Sequence, residues 1–145
     1  MKRPRFFTLE ELLDSSVARQ KGISNLPNWT VVEHLNDLAM FLDDIREAWG
    51  SAIKVNSGFR CKKLNDAVSG VPNSGHLYGF AADIVPANGD LKGFEAFLRK
   101  WLPTYENSWD ECLFESKGRS RWVHISMMSA SGGKRRKMFG ISVPV

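Results

Sequence analysis

The stretch SGHLYGFAAD, residues 74–83, places an imidazole and a carboxylate in a run of small and apolar residues. Glycine and alanine between His76 and Asp83 let the backbone fold back, so both side chains could reach one cation. A catalytic zinc site takes about three nitrogen or oxygen ligands from the protein and keeps one position open. From spacing alone, the stretch is equally compatible with a turn before a buried strand, with Asp83 as a cap and His76 at the surface.

The third ligand would come from the two other histidines. In RWVHISM, residues 121–127, Val123 and Ile125 alternate with His124. If the aliphatic pair faces the core, His124 faces a cleft on the other side of the strand. His34 lies beside Leu35 in a segment with helical periodicity, where a role at the helix surface or the edge of the core is expected.

The elements that would position these side chains are helices in the first part of the chain and strands mostly afterwards. Thr8, with Glu11 as its capping-box partner, predicts a helix start, and GISNLPNW is typical of a loop. Leucines and other apolar residues at steps of three and four predict a longer helix from Thr30 to near Gly50. Residues 91–102 are also helical by periodicity and stop before Pro103.

Alternation of apolar and polar residues predicts the strands. The segment AIKVNSGFR alternates and breaks at Ser57-Gly58, and CLFES with RWVHISM predicts a hairpin around the turn KGRS. FGISVPV, residues 139–145, could add a last strand. This order predicts an α+β fold with a small antiparallel sheet packed with helices.

Composition indicates one domain over residues 1–145, since the chain is 43% hydrophobic and 25% charged. The sequence has no run of about 18 consecutive apolar residues, so no membrane span is predicted. The start MKRPRFFTLEELL lacks the apolar core of a secretory signal, so synthesis in the cytoplasm is expected. Cys61 and Cys112 are too few for a disulfide scaffold.

The net charge of +4 is concentrated in KRPR, residues 2–5, and KRRK, residues 134–137. Solvated ends are expected, with attraction to an anionic polymer such as a bacterial wall as the alternative. The mixed centre of the chain lacks the concentrated basic face of a nucleic-acid binder, so no nucleic-acid partner is expected.

The motifs NSGFR, LN, SGHLYGFAAD and WVH, in this order and spacing, resemble those of the zinc D-alanyl-D-alanine carboxypeptidase family, including its shorter phage members. The likeness includes the S-x-H-x-x-G-x-A-x-D signature and extends over nearly the whole chain. It implies a hedgehog/DD-peptidase-like fold and Zn²⁺ bound by His76, Asp83 and His124. It also implies that Arg60 grips a substrate carboxylate and that Ser74 hydrogen-bonds substrate near the metal.

The chain departs from the wider family at the catalytic base. Many members carry an acidic residue three positions before the last histidine ligand, where this chain has Arg121. If KGRS closes the hairpin symmetrically, Glu115 pairs with Trp122 and shares a face with His124, about 7 Å away as a diagonal neighbour. Glu115 is therefore the expected base, and Asp110 and Glu111 are weaker candidates because they precede the predicted strand.

The resemblance implies a zinc metallopeptidase that cuts peptidoglycan stem peptides at a bond involving a D-amino acid. Because no secretory signal is expected, a phage or prophage enzyme fits better than a periplasmic housekeeping carboxypeptidase, and a monomer is expected. Both carboxypeptidase and endopeptidase activity fit, and action on the wall would follow release from the cell. The alternative is a non-catalytic zinc module of the same fold that binds wall fragments or a protein, which the displaced base would favour.

Overall fold

The computed structural model of the chain describes residues 3–142. Within them lie five α-helices and five strands. The helices are α1 (Leu9–Leu13), α2 (Ser16–Lys21), α3 (Trp29–Trp49), α4 (Lys62–Ala67) and α5 (Leu91–Trp101), and 3₁₀ turns span Gly75–Tyr78 and Leu102–Thr104. The strands are β1 (Ile53–Ser57), β2 (Ala81–Pro86), β3 (Glu111–Lys117), β4 (Ser120–Ser126) and β5 (Lys137–Ser142).

The first helix has the predicted capping box, in which Thr8 and Glu11 bond each other's backbone amides. It ends at Leu13, and Ser15 then caps α2 by accepting a hydrogen bond from the amide of Ala18 at 3.1 Å. Sequence patterning did not predict α2 or α4. Both have six residues, which is too short for helical periodicity to show.

The long helix α3 begins one residue before the predicted start. Asn28 caps it by accepting from the amide of Val31 at 2.9 Å, and Gly50 ends it at a φ of 81°. Its buried face includes Leu35, Leu38, Leu42 and Ile45, as the apolar stripe predicted. The helix is thus defined by both its caps and its periodicity.

The five strands form one sheet in the order β1-β2-β4-β3-β5. The α+β class is confirmed, and the pairs β1/β2, β2/β4 and β3/β4 are antiparallel as expected. The expectation of an antiparallel sheet is wrong for β5, which runs parallel to β3. The reason is that residues 127–136 carry the chain back past the start of β3, where the Lys137 amide donates to the Asp110 carbonyl at 2.8 Å. The last three residues of the predicted FGISVPV strand lie outside the described residues.

The core lies between one face of the sheet and the helices. Residues of β2, β3 and β4 that point to this face pack with apolar residues of α3 and α5; they include Ile84, Phe114, Val123, Ile125, Leu42, Phe94 and Leu98. Because side chains alternate along a strand, Asp83, Glu115 and His124 point to the opposite face. Among the described residues, no helix has the length and apolar character needed to cross a membrane.

Candidate metal centre

His76 lies in the 3₁₀ turn Gly75–Tyr78, which is held at both ends. Ser74 caps the turn by accepting a hydrogen bond from the His76 amide at 3.2 Å. Gly79 ends it at a φ of 77°, and a Cβ added there would lie 3.1 Å from the carbonyl oxygen of Val31 in α3. His34 Nδ1 lies 2.8 Å from the Tyr78 carbonyl, so His34 has the expected helix-surface role and supports the turn.

The ring of His76 is buried and oriented by the backbone. Its Nδ1 lies 2.7 Å from the carbonyl oxygen of Gly58. Because a carbonyl only accepts, Nδ1 carries the hydrogen and Nε2 keeps a free lone pair. Nε2 lies 3.3 Å from Oδ1 of Asp83. A histidine whose second nitrogen donates to a carbonyl is the usual arrangement of a metal ligand.

Asp83 and His124 are direct partners in the register of β2 and β4, so their side chains leave the same face. Oδ1 of Asp83 lies 3.0 Å from Nδ1 of His124. One ligand atom from each of His76, Asp83 and His124 lies within 4.8 Å of the others. Two imidazole nitrogens and one carboxylate oxygen fit the donor set of a zinc site with one open position.

The pKa values of the three candidate ligands depend on one another and on burial. Burial lowers the pKa of His76 below its ordinary value. Burial also opposes ionisation of Asp83, but the two adjacent imidazoles prevail and hold the pKa of Asp83 well below its usual range. Burial opposes charge on His124 too, yet the Asp83 carboxylate raises the pKa of His124. Asp83 is therefore an anion, which a cation between the three groups would further stabilise.

Arg60 lies beside the three groups and is already partly engaged. Its Nη2 lies 3.3 Å from Oδ2 of Asp83, Nε donates to Ser57 Oγ at 3.1 Å, and Nη1 donates to Asn65 Oδ1 at 3.1 Å. A guanidinium has five N–H donors, so two remain for another acceptor. Arg60 and Ser74 both line the cleft over the metal centre.

Glu115 lies where the hairpin register predicted. Glu115 pairs with Trp122 and Leu113 with His124, because Gly118 and Arg119 form the two-residue turn between β3 and β4. The Trp122 indole Nε1 donates to Glu115 Oε1 at 2.8 Å. Burial raises the pKa of Glu115 above its ordinary value, and the charge of Asp83 acts in the same direction.

The other carboxylates near the cleft are bound to Arg135, which sequence reasoning did not single out. Both oxygens of the buried Asp110 accept from Arg135, at 2.9 Å from Nε and 2.8 Å from Nη2. Glu111 Oε1 lies 3.2 Å from the same Nη2. Glu111 was expected to precede the strand, but β3 begins at this residue. Arg121, at the position of the usual family base, pairs instead with Glu95 at 3.1 Å.

The basic end at residues 134–137 is more ordered than the solvated tail that was expected. It is exposed, but Arg135 bonds Asp110, and Arg136 donates to the carbonyls of Asn107, Pro103 and Tyr105 at 3.1–3.2 Å. The signal that could have indicated this was the adjacent pair Asp110-Glu111. The basic segment therefore anchors the loop that follows β4, and this loop forms one wall of the cleft.

The cleft has a volume of about 960 Å³ and lies over the sheet face that carries Asp83 and His124, with His76 beside them. Residues 68–75 form one wall, and residues 128–135 with the end of β5 form another.

The sequence profile of the family described as Peptidase M15 matches residues 5–126. The matched region contains all three ligand candidates as well as Arg60, Ser74 and Glu115. No curated protein sequence matches the chain. Because the family profile extends over most of the chain and the ligand set of a zinc site lies within it, the chain belongs to the peptidase M15 family, whose members are zinc-dependent peptidases.

Proposed function

We propose that this chain is a zinc metallopeptidase that hydrolyses peptide bonds involving a D-amino acid in peptidoglycan stem peptides. The observation that carries the proposal is the position of Glu115, a half-buried carboxylate on the same sheet face as Asp83 and His124 and in the same cleft as His76. A metal site without a base would bind a cation, whereas a site with one can also move a proton.

His76, Asp83 and His124 would hold the ion. Zinc bound there would supply Lewis acidity toward the scissile carbonyl and toward water. Glu115 would accept the proton of the attacking water and pass it to the leaving amine. The indole of Trp122 fixes one oxygen of Glu115, so the other oxygen is available for this exchange.

Arg60 and Ser74 would position the substrate. The two unused donors of Arg60 suit a planar carboxylate, and its bonds to Ser57, Asn65 and Asp83 hold the guanidinium in place for it. The Ser74 oxygen accepts from the His76 amide, which leaves the hydroxyl hydrogen for a substrate carbonyl. A substrate with a free carboxylate near the cleaved bond fits this pair of groups.

The peptidoglycan substrate and a phage or prophage origin rest on the family resemblance of the motifs. In this proposal the enzyme acts on the bacterial cell wall. A carboxypeptidase substrate and a cross-linked endopeptidase substrate are both candidates within this proposal.

A second candidate is a non-catalytic zinc module that binds wall fragments. It is favoured by Arg121, which replaces the acidic residue of many relatives and lies in an ion pair with Glu95. The two candidates differ in whether zinc-loaded protein releases new amino groups from peptidoglycan.

Digestion of purified peptidoglycan of several wall types tests the proposal. We expect zinc-loaded protein to release amino groups, with stem-peptide products identified by mass spectrometry. Glu115→Gln should retain zinc and lose about 10²–10⁴-fold in rate, the usual contribution of a general base. Glu111→Gln is the matched control, since Glu111 lies on the same strand and face but is bound to Arg135.

Wild-type protein that holds stoichiometric zinc but releases no amino groups from any wall type would contradict the enzymatic proposal. A Glu115→Gln variant with the rate of wild type would contradict the role of Glu115 as the base.

A further inference from the structure

The side-chain amide of Asn25 connects three backbone groups from different parts of the chain. Its Nδ2 donates to the Leu13 carbonyl at 3.0 Å and to the Phe59 carbonyl at 2.9 Å. Its Oδ1 accepts from the Cys61 amide at 2.7 Å. Both N–H donors and the carbonyl are thus used, and the amide links the end of α1 to residues 59 and 61.

The segment of residues 58–61 is in direct contact with the candidate metal centre. The Gly58 carbonyl accepts from His76 Nδ1 at 2.7 Å, and the Arg60 amide donates to the His76 carbonyl at 3.1 Å. The side chain of Arg60 reaches Asp83. The position of this segment therefore sets the orientation of the His76 ring and the place of the guanidinium.

On its other side the same segment is pressed against α1. The Phe59 amide donates to the Leu12 carbonyl at 2.7 Å. A Cβ added to Gly58 would lie 2.3 Å from that same oxygen, so the two backbones are already as close as a glycine allows. The Asn25 side chain bonds both segments beside this contact, at residue 13 on one side and at residues 59 and 61 on the other.

We propose that Asn25 is a positioning residue for the metal centre. It acts through the backbone of Phe59 and Cys61 on the Gly58 carbonyl, and through that carbonyl on the ring of His76. The inference rests on the proposed metal binding by His76, Asp83 and His124. Asn25 itself would touch neither the ion nor the substrate.

The physical reason is the hydrogen bond from His76 to Gly58. That bond selects the tautomer with a free Nε2 and fixes the ring plane. Loss of the Asn25 hydrogen bonds would let residues 58–61 shift. The hydrogen bond from His76 to the Gly58 carbonyl would then lengthen or bend. Changes to groups that hydrogen-bond a metal ligand directly commonly weaken metal binding by about 10–100-fold, and Asn25 acts one step further out, so the lower end of this range is expected.

Asn28 provides a matched control in the same loop. It is also an asparagine that accepts from a backbone amide, that of Val31 at 2.9 Å. That bond caps α3, so its loss should lower stability through the helix and not through residues 58–61. A purely structural role of Asn25 would make the two asparagines equivalent.

The experiment compares wild type, Asn25→Asp, Asn25→Ser and Asn28→Ala. Asn25→Asp keeps an oxygen that can accept from the Cys61 amide. It removes both N–H donors and places a carboxylate oxygen against the carbonyls of Leu13 and Phe59. Asn25→Ser can make at most two of the three bonds, since a hydroxyl has a single donor hydrogen. It replaces Asn25→Asp in the experiment if the aspartate variant does not fold. Zinc affinity is measured by competition with a chelator, and the geometry of the site by the visible spectrum of the cobalt(II)-substituted protein.

We expect the Asn25 variants to bind zinc about tenfold more weakly and to show altered cobalt bands. Asn28→Ala should have a lower melting temperature but wild-type zinc affinity and cobalt bands. Wild-type affinity and spectrum in both Asn25 variants would overturn the inference, as would equal weakening in Asn28→Ala.

The outcome is separable from that of the proposed function. If wild type binds zinc but cleaves no peptidoglycan, the proposed reaction fails while the zinc affinities still decide the role of Asn25. If wild type binds no zinc, the metal centre is wrong and the inference falls with it.

Discussion

Asp83 and His124 face each other across β2 and β4, with Oδ1 of the carboxylate 3.0 Å from Nδ1 of the imidazole. The two residues are far apart in the chain, and the antiparallel register alone makes them neighbours. His76 then completes the group from the turn that precedes β2. The centre therefore depends on one strand pairing and one turn.

The Asp83 carboxylate is expected to be essential for metal binding. Asp83→Asn keeps the shape but removes the anion, so zinc affinity should fall by more than about 100-fold, beyond the usual effect of outer partners. In the metal-free variant the pKa of His124 should fall, because the Asp83 carboxylate that raises it is gone. Chelator competition and an NMR titration of His124 measure the two effects.

Asp43→Asn is the control for the loss of a buried carboxylate. Asp43 is buried and accepts from the amides of Arg5 and Phe6, remote from the ligand group. Its replacement should lower stability and leave zinc affinity unchanged. Retention of wild-type zinc affinity by Asp83→Asn would contradict the ligand assignment.

Glu115 is expected to destabilise the metal-free protein at neutral pH. Burial raises the pKa of Glu115, so the folded state binds this proton more readily than the unfolded state. The free energy of unfolding therefore falls as pH rises through the ordinary glutamate pKa of about 4.3 and stays lower above the folded value. Glu115→Gln cannot ionise, and its Oε1 can still accept from Trp122.

Urea unfolding with a chelator present tests this expectation at pH 7 and near pH 3.5. At pH 7 Glu115→Gln should be more stable than wild type, and the difference should shrink at the lower pH. Glu111→Gln should not be stabilising, since it weakens an ion pair with Arg135. A Glu115→Gln variant less stable than wild type at pH 7 would count against the raised pKa.

Arg135 is expected to contribute to stability through Asp110. Burial opposes ionisation of Asp110, but the hydrogen bonds from Arg135 hold the pKa of Asp110 below its usual value. Arg135→Gln would leave this buried carboxylate without its main partner, at a cost of about 1–3 kcal/mol at pH 7. The contribution is present above the unfolded pKa of about 3.9 and is lost as pH falls through the folded value.

Denaturant unfolding at several pH values measures the effect of Arg135→Gln. Arg121→Gln is the matched control, because Arg121 is exposed and its partner Glu95 keeps 15% of its side-chain surface exposed, against 1% for Asp110. A pair with access to solvent contributes only about 0–1 kcal/mol. If the two arginine variants lose the same stability at pH 7, Arg135 has no special role.

The hairpin shows how much of the candidate site could be predicted from local sequence. The turn chemistry of KGRS and the alternation of Val123 and Ile125 predicted the register, and the structure confirms it, with Glu115 opposite Trp122. A two-residue turn leaves little choice of pairing, and a shift by one residue would turn Val123 and Ile125 away from the core. The face shared by Glu115 and His124 followed from that register.

The short helices and the basic end show where local patterns fail. The caps of α2 and α4, Ser15 and Cys61, precede helices too short for periodicity to show. KRRK has the composition of a solvated end, yet Arg135 bonds the carboxylate of Asp110, just before the strand beside which β5 docks. No pattern within residues 134–137 contains that contact, because its partner lies more than twenty residues earlier.

By itself the sequence determined the α+β class, the long helix, the hairpin register and the kinds of side chain that could bind zinc. These depend on periodicity, turn residues and motif chemistry, which are local. Only the tertiary structure decided that His76, Asp83 and His124 place ligand atoms within 4.8 Å of one another and that Asn25 links α1 to residues 58–61. Such contacts join distant residues through strand pairing and backbone packing, and no local pattern specifies them.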